Sequence, residues 1–323
     1  MIPIRDTTGS RNHPVVNTTL IGINVALFLI QLQQGPKIEQ FVFTYGLVPA
    51  RYTVPEIAFF FTPFQQILAF FSFMFLHGGF MHLLGNMWSL YIFGDNVEDR
   101  LGPLRYLVFY FLCGWFSGLT HFMFNMDSRI PTIGASGAIA GVMGAYLILF
   151  PSAKILTFIP IFFIPYFVEI PAFIFLGIWF LIQFLSATAL RGNMAGIAWW
   201  AHVGGFLAGI VFVKLLLMVP QTGLTRGVRS VTLKHKTPRL QVIHTLADAQ
   251  DPHLYGSITI TPREAAFGTR KLVNIPWGFH SRVLRVAIPP GVKKGTTLRL
   301  RGLGKTASNR EVGDLLLKVL IKS

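Results

Sequence analysis

The sequence is poor in charged residues and in cysteine. Of its 323 residues only 13% are charged, about half the share found in soluble domains, while 52% are hydrophobic. So few charged groups cannot cover the remaining apolar surface in water, which excludes a soluble globule for most of the chain. The single cysteine, Cys113, excludes an internal disulfide and a cysteine-rich metal site, and we predict no metal and no cofactor.

The positive charge is concentrated at one end of the sequence. Residues 221–323 contain 18 Lys and Arg against 5 Asp and Glu, whereas residues 1–220 contain 10 and 8. This step predicts a membrane domain at 1–220, a basic linker at 221–250 and a water-facing domain at 251–323. We expect no cleavable signal peptide, because Ile2–Asn17 is polar and the first apolar run lacks a small-residue cleavage site.

Apolar runs predict helices that cross a bilayer, where about 20 residues are needed per span. The predicted spans are Thr18–Leu32, Met81–Phe93, Leu104–Phe124, Ala135–Phe150, Ile170–Ser186 and Trp199–Val219. Two further apolar segments, Ile57–Leu76 and Ile155–Glu169, contain prolines that interrupt helical hydrogen bonding. We expect both to be buried loops or interfacial helices, and hydropathy leaves that choice open.

The segment Gly134–Gly141 places a serine at the start of an apolar helix. There the Ser136 hydroxyl would lie beside unpaired backbone N–H groups that could hold an oxyanion. Gly137 and Gly141 lie four residues apart and form a smooth face for a second helix. Taken alone, the segment is more often a small-residue packing motif with a helix-capping serine.

A second helix carries the complementary features. His202 stands near the start of an apolar run, and Gly205 and Gly209 again lie four residues apart. A histidine in a span is costly without a partner or a task. Two small-faced helices can approach until the Ser136 hydroxyl meets the imidazole, which is the minimal nucleophile–base pair.

His82 and Asn86 lie four residues apart and therefore share one face of a third helix. Both side chains can donate hydrogen bonds to a developing oxyanion, alongside the backbone N–H of Ser136. The alternative for either residue alone is interhelical hydrogen bonding, which is common in membrane bundles. His77 is expected to brace the adjoining loop.

Together these three elements resemble the rhomboid family of intramembrane serine proteases over residues ~15–218. The matching residues are Gly134, Ser136, Gly137 and Gly141, then His202, Gly205 and Gly209, and finally His77, His82 and Asn86. The resemblance implies that Ser136 is the nucleophile, that His202 is the general base and acid, and that His82 and Asn86 are oxyanion donors. It implies membrane-protein substrates, cleaved near the outer end of a transmembrane helix.

Two features depart from the family pattern. The Trp-Arg pair common in the family's first loop is absent, because Ile67–Phe71 stands there. Ala140 replaces an aromatic residue that in some members stacks on the catalytic histidine.

Helix parity predicts the topology. Ser136, His202 and His82 can meet only if their helices all start on the same side of the membrane. The number of crossings that this requires does not allow Ile57–Leu76 or Ile155–Glu169 to cross the membrane. The expected fold is an all-α polytopic membrane protein, a rhomboid-like six-helix bundle, with a small C-terminal all-β soluble domain. The basic tail places both termini in the cytoplasm, and we expect a prokaryotic inner membrane.

Residues ~251–323 resemble the C-terminal substrate-binding domain of DnaJ chaperones. The matching residues are Pro289–Thr296, Leu298–Gly304 and Gly313–Leu315. No His-Pro-Asp motif and no CxxC module is present, so stimulation of an Hsp70 is not implied. We expect a cytosolic client or chaperone partner and contact with anionic lipid, and no nucleic-acid binding.

Two function classes follow from the sequence. The first is a rhomboid-type serine endopeptidase. The alternative is a catalytically silent rhomboid-like adaptor that binds membrane proteins for quality control. Silent relatives lack the serine or the histidine, and this chain has both. A transporter is disfavoured, because no carboxylate lies in Ala135–Phe150 or Trp199–Val219.

Overall fold

A computed structural model describes residues 1–161, 164–189, 197–220, 222–232, 240–243, 251–277, 280–305 and 312–321. The chain divides into two compact units, Met1–Leu233 and Lys234–Ser323, and each is described by itself.

Helices dominate the first unit, and each predicted span corresponds to one of them. The six are α1 (Val15–Leu32), α6 (Phe80–Leu101), α7 (Pro103–Phe124), α8 (Ser136–Leu149), α9 (Ala172–Ala189) and α10 (Trp199–Met218). Between α1 and α6 lie α2 (Ile38–Tyr45), α3 (Ala50–Thr53), α4 (Pro55–Ala58) and α5 (Pro63–Ser72).

By length and composition, α1, α7, α9 and α10 can each cross a membrane among the described residues. A fifth span is possible if Pro63–Phe75 and Phe80–Leu101, which meet at 76°, are taken together. Helix α8 has 14 residues. Six crossings therefore stay a prediction, although the rhomboid-like helical bundle itself is present.

The segment Ile57–Leu76 consists of short helices at the surface of the unit. Pro63 occupies the first turn of α5, where a missing N–H costs nothing, and Thr62 and Gln65 form a reciprocal capping box before it. Phe59, Phe60 and Phe64 on this segment are exposed. The segment is therefore helical and exposed, and its position at the membrane interface stays a prediction.

The prediction for Ile155–Glu169 is wrong, because this segment is neither a loop nor a helix. It forms the hairpin of β2 (Lys154–Ile161) and β3 (Ile164–Pro171), and β1 (Ile2–Asp6) joins it in an antiparallel sheet of order β1-β2-β3. Pro160 and Pro165 are register partners near the hairpin end, where strand pairing tolerates them. Hydropathy alone does not reveal a partner strand about 150 residues away.

Strand β1 runs alongside α6. The Trp88 indole donates to the carbonyl of Pro3 at 2.6 Å, and the Asn96 amide donates to the Asp6 carboxylate at 2.7 Å. Burial raises the pKa of Asp6, although a hydrogen bond from the Tyr146 hydroxyl partly offsets this. These two hydrogen bonds therefore hold β1 against the middle and the C-terminal half of α6.

The second unit contains two sheets around its own apolar core, as the predicted β-rich domain requires. One has the order β4-β6-β7 and the other the order β5-β9-β8. The strands are β4 (Leu240–Val242), β5 (Leu254–Ile260), β6 (Thr269–Trp277), β7 (His280–Ile288), β8 (Thr297–Leu300) and β9 (Leu315–Ile321), and α12 (Pro262–Phe267) follows β5.

The segment 221–250, which we predict to be a linker, contributes one element to each unit. Helix α11 (Gly223–Val231) belongs to the first unit, where the Arg229 guanidinium donates to the carbonyl of Asp99 at 2.9 Å and the His13 N–H donates to the carbonyl of Thr232 at 2.7 Å. Strand β4 belongs to the second unit, where it pairs with β6. The basic residues of this segment indicate solvent exposure. The segment has no apolar run that would predict the contact of α11 with the first unit or that of β4 with the second unit.

Candidate active site

Ser136 begins the short helix α8. At about 1.5 Å per residue the 14-residue helix is roughly 21 Å long, whereas the hydrocarbon core of a bilayer is about 30 Å thick. The other end of α8 leads within five residues to Lys154, whose exposed ammonium pairs with Glu169 and belongs at the membrane surface. Helix α8 is therefore too short to reach across the whole hydrocarbon core by itself.

His202 lies one turn into α10 and reaches Ser136 directly. Its Nε2 is 2.8 Å from the Ser136 Oγ, within hydrogen-bond distance. The structure thus brings together the two residues for which the sequence predicts a nucleophile–base pair.

Glycines allow this approach. A Cβ built on Gly205 would overlap the carbonyl oxygen of Gly137, and one on Gly209 would overlap that of Gly141. The backbones of α8 and α10 therefore touch at two levels one turn apart, as the two smooth faces predict. Gly134 precedes Ser136 with φ +131°, a conformation that L side chains rarely adopt, and a Cβ there would press on the His82 ring.

His82 and Asn86 face the same place from α6. The His82 Nδ1 accepts the Gly78 N–H at 3.2 Å, so in the neutral ring Nε2 carries the proton. The Asn86 side chain is 8% exposed, and its buried Nδ2 has no hydrogen-bond partner within the described part of the chain. The cavity that contains Ser136 is therefore lined by one buried N–H donor, on Asn86, and by a second N–H donor on the more exposed His82 ring. At His77 the backbone N–H and carbonyl both bind the Gln31 amide, at 3.0 and 2.6 Å, so the loop is anchored here through its main chain, and a bracing role of the His77 ring stays a prediction.

A cavity of about 550 Å³ joins these side chains. It is lined by Ser136, His202, His82 and Asn86, and also by Met81, Thr132, Met143, Trp179, Gln183 and Trp199. Its lining within the described residues contains no carboxylate, lysine or arginine, so this is a neutral polar site in an apolar surround. No cluster of metal-ligating side chains is present in the described ranges.

The orientation of His202 depends on α9, which the sequence argument did not use. The Gln183 Oε1 lies 2.7 Å from the His202 Nδ1, and the Trp179 and Trp199 rings lie 6.0 and 6.2 Å from the imidazole. One ring is tilted and the other edge-on to the imidazole, so aromatic side chains contact His202 although Ala140 provides none. Gln183 could have been found, because it is the one amide in an otherwise apolar run.

Arg51 of α3 organises the first loop, where the family's Trp-Arg pair is missing. Its guanidinium is fully buried and donates to the carbonyls of Phe43 at 2.5 Å and Thr44 at 3.2 Å. It also lies 3.6 Å above the Phe61 ring. Three carbonyl and aromatic contacts on one cation tie α2 and the following turns together.

Comparison with known families agrees with both resemblances. Residues 65–219 match the rhomboid domain, and residues 249–323 match the DnaJ C-terminal domain. The predicted recognition is therefore confirmed for both regions, and so is the fold class of a helical membrane region followed by a β-rich domain.

Several curated relatives with rhomboid names match part of the chain. Rhomboid protein 1, mitochondrial, of Saccharomyces cerevisiae is 30% identical over 202 residues, which is 60% of this chain and 51% of that protein. RHOMBOID-like protein 6, mitochondrial, of Arabidopsis thaliana is 33% identical over 153 residues, 46% of this chain and 44% of that protein. Inactive RHOMBOID-like protein 8 of Arabidopsis thaliana is 32% identical over 146 residues, 45% and 37% respectively.

The chain thus spans about half the length, or less, of the curated relatives it matches. These relatives support a location in a membrane. Since they come from yeast and a plant, they give no support to the predicted prokaryotic inner membrane.

Proposed function

We propose, from the premise that this chain carries a rhomboid domain followed by a DnaJ C-terminal domain, that it is an intramembrane serine endopeptidase. The nucleophile is Ser136 and the base is His202. The observation that carries the proposal is the 2.8 Å separation of the Ser136 Oγ and the His202 Nε2, both of which line one cavity.

The reaction follows from the contacts of these side chains. As the Ser136 Oγ attacks a peptide carbonyl carbon, its proton passes to the His202 Nε2, and the carbonyl oxygen becomes an oxyanion. The same proton then goes to the leaving amine nitrogen, which leaves an acyl-enzyme that water hydrolyses.

Two donors support the charge that develops. The Asn86 Nδ2 is buried and has no partner in the described ranges, so an arriving oxyanion restores a hydrogen bond that the resting protein lacks. The His82 Nε2–H is the second donor, since the Gly78 N–H already occupies Nδ1.

The substrate class is a transmembrane helix of another membrane protein. A site inside the bilayer selects segments that are themselves in the bilayer, and its backbone-binding groups need an unwound peptide. Small or helix-breaking residues near the outer end of a substrate helix would satisfy this requirement.

Labelling with a fluorophosphonate probe tests the proposal. We expect the detergent-solubilised protein to be labelled, and Ser136→Ala and His202→Ala to abolish both labelling and cleavage of a short transmembrane reporter. Ser186→Ala on α9, which lies outside the cavity lining, is the matched serine control. Undiminished cleavage by Ser136→Ala would refute the assignment, and an unlabelled, inactive wild type would favour the silent adaptor.

The second unit is proposed to bind the cytosolic part of the substrate or a chaperone-related partner, and its basic surface to contact anionic lipid. Capture of a substrate tail would raise the local concentration of that substrate at the membrane unit. A chain ending at Leu233 should cleave a short reporter normally and lose efficiency only on substrates with long cytosolic segments. Equal loss on both substrates, in folded protein, would make the second unit part of the catalytic machinery.

A further inference from the structure

The Gln183 side chain is buried in α9 and contacts His202 of the candidate site. It is 6% exposed, and it is the one amide or charged side chain among 18 residues that are otherwise apolar, aromatic or hydroxyl-bearing. A polar side chain at bilayer depth is costly unless it has a partner. Its partner is His202, because the Gln183 Oε1 lies 2.7 Å from the His202 Nδ1.

This contact determines where the imidazole proton lies. An amide oxygen only accepts hydrogen bonds, so a bond at Nδ1 requires the proton on Nδ1. The neutral ring then has a bare Nε2, and Nε2 is the atom 2.8 Å from the Ser136 Oγ. With the proton on the other nitrogen, His202 could donate to Ser136 but could not accept its proton.

We infer that Gln183 is a positioning residue that holds His202 in the tautomer and ring orientation of a general base. This inference rests on the proposed function of the Ser136–His202 pair. Gln183 neither gains nor loses a proton in the reaction. Its oxygen accepts from Nδ1–H throughout, and it opposes the positive charge that His202 acquires while it holds the proton of Ser136.

An amide suits this position better than a carboxylate. The cavity lining in the described residues carries no cation that would compensate a buried negative charge. A carboxylate without such a partner has a large desolvation penalty at this depth, whereas a neutral amide supplies the same acceptor geometry. The pair thus has a third member that carries no charge.

Three variants test the inference on the full-length protein with the transmembrane reporter. Gln183→Leu keeps the approximate size and removes the acceptor, so we expect kcat to fall about 10- to 100-fold with KM within about twofold. This is less than the roughly 10⁴-fold found when a charged orienting residue is neutralised, since no charge is lost. Thr188→Val on the same helix is the control, because the Thr188 hydroxyl donates to the backbone carbonyls of Phe184 and Leu185 in its own helix.

Gln183→Glu keeps an acceptor at the same reach. Because of its desolvation penalty the carboxylate should slow the enzyme relative to wild type, but we expect this variant to retain more of the wild-type kcat than Gln183→Leu does. It should also move the acid limb of the pH–rate profile to higher pH, because a carboxylate beside the ring favours the imidazolium. A merely structural role for Gln183 would not move that limb. Wild-type kcat in Gln183→Leu overturns the inference, as does a Gln183→Glu protein that is as slow as Gln183→Leu with an unmoved acid limb.

A measurement that needs no cleavage separates this inference from the proposed function. In protein labelled with ¹⁵N-histidine, the wild-type His202 signals should report a protonated Nδ1 and a bare Nε2, and Gln183→Leu should show a mixture of tautomers. The His202 signals are identified by their loss in His202→Ala. A wild-type ring protonated on Nε2 would overturn the inference whether or not the protein cleaves the reporter.

Discussion

Replacing Gly205 by alanine should separate the two reacting groups without removing either one. A Cβ at this position would overlap the carbonyl oxygen of Gly137, so α10 must move away from α8. The built Cβ lies 2.0 Å from that oxygen, so the movement needed to restore ordinary van der Waals separation is at least about 1.4 Å. If α10 moves by this amount along the line from the Ser136 Oγ to the His202 Nε2, the distance between these two atoms would rise from 2.8 Å to about 4.2 Å, beyond hydrogen-bond reach.

A displacement of about 1 Å in a reacting group can cost about 100-fold in rate. We therefore expect Gly205→Ala to lower kcat about 100-fold and leave KM nearly unchanged, and fluorophosphonate labelling should slow in parallel. The extra methyl group should also lower the free energy of unfolding by about 1 to 3 kcal/mol, which thermal unfolding in detergent measures.

Gly177→Ala is the matched control, because the space around Gly177 on α9 is open to 4 Å. It should leave both kcat and the unfolding temperature unchanged, or slightly raise the latter. Wild-type kcat in a folded Gly205→Ala protein would refute the view that the close contact of α8 and α10 sets the distance between the two reacting groups.

Three further predictions concern other parts of the chain. Asn86→Ala should lower kcat about 10- to 1,000-fold with little change in KM, the range for losing one oxyanion donor, and a loss confined to KM would make Asn86 a substrate contact. Arg51→Leu leaves buried carbonyls of the first loop unpaired, so it should lower the free energy of unfolding by about 2 to 4 kcal/mol. Thermal unfolding measures this change, and an unchanged stability would show that water replaces the guanidinium. A hydrogen bond from the Gly302 N–H, and a smaller contribution from the Arg299 guanidinium, hold the pKa of Asp314 below its usual value. The Asp314 carboxylate therefore stabilises the second unit above about pH 4, and this stabilisation is lost as the pH falls further. Asp314→Asn should therefore make the second unit more sensitive to proteolysis at pH 7 but not near pH 2, and equal sensitivity of the variant and the wild type at pH 7 would contradict this.

The helical bundle and the groups around Ser136 could be predicted because membrane sequences make polar residues and glycines informative. A histidine or an asparagine in an apolar run is energetically costly unless it has a hydrogen-bond partner or a function. Glycines four residues apart indicate a close contact between two helices. The same rule applied to α9 would have identified Gln183. A lone amide in an apolar helix needs a partner, and its oxygen can accept the hydrogen bond that an acid accepts from the histidine in a Ser-His-Asp triad.

The sheet β1-β2-β3 and helix α11 could not be predicted in the same way. Strand pairing between Ile2 and Phe158 is a long-range choice that no local pattern encodes. Helix α11 docks through backbone carbonyls, at Asp99 for example, and a carbonyl is present at every residue of the sequence. Aromatic support for His202 was likewise hidden, because Trp179 and Trp199 reach the ring from two different helices.

The pairing of β1 with β2 has a consequence for the order of events during synthesis. β1 is translated before β2, and about 150 residues separate the paired positions. At about 5 to 20 residues per second, β1 waits roughly 8 to 30 s for its partner strand to be made. Trp88 and Asn96, which hold β1 against α6, are translated well before β2. β1 can therefore stay bound to α6 while the later helices insert into the membrane. Its free edge is paired only after the β2–β3 hairpin has been synthesised.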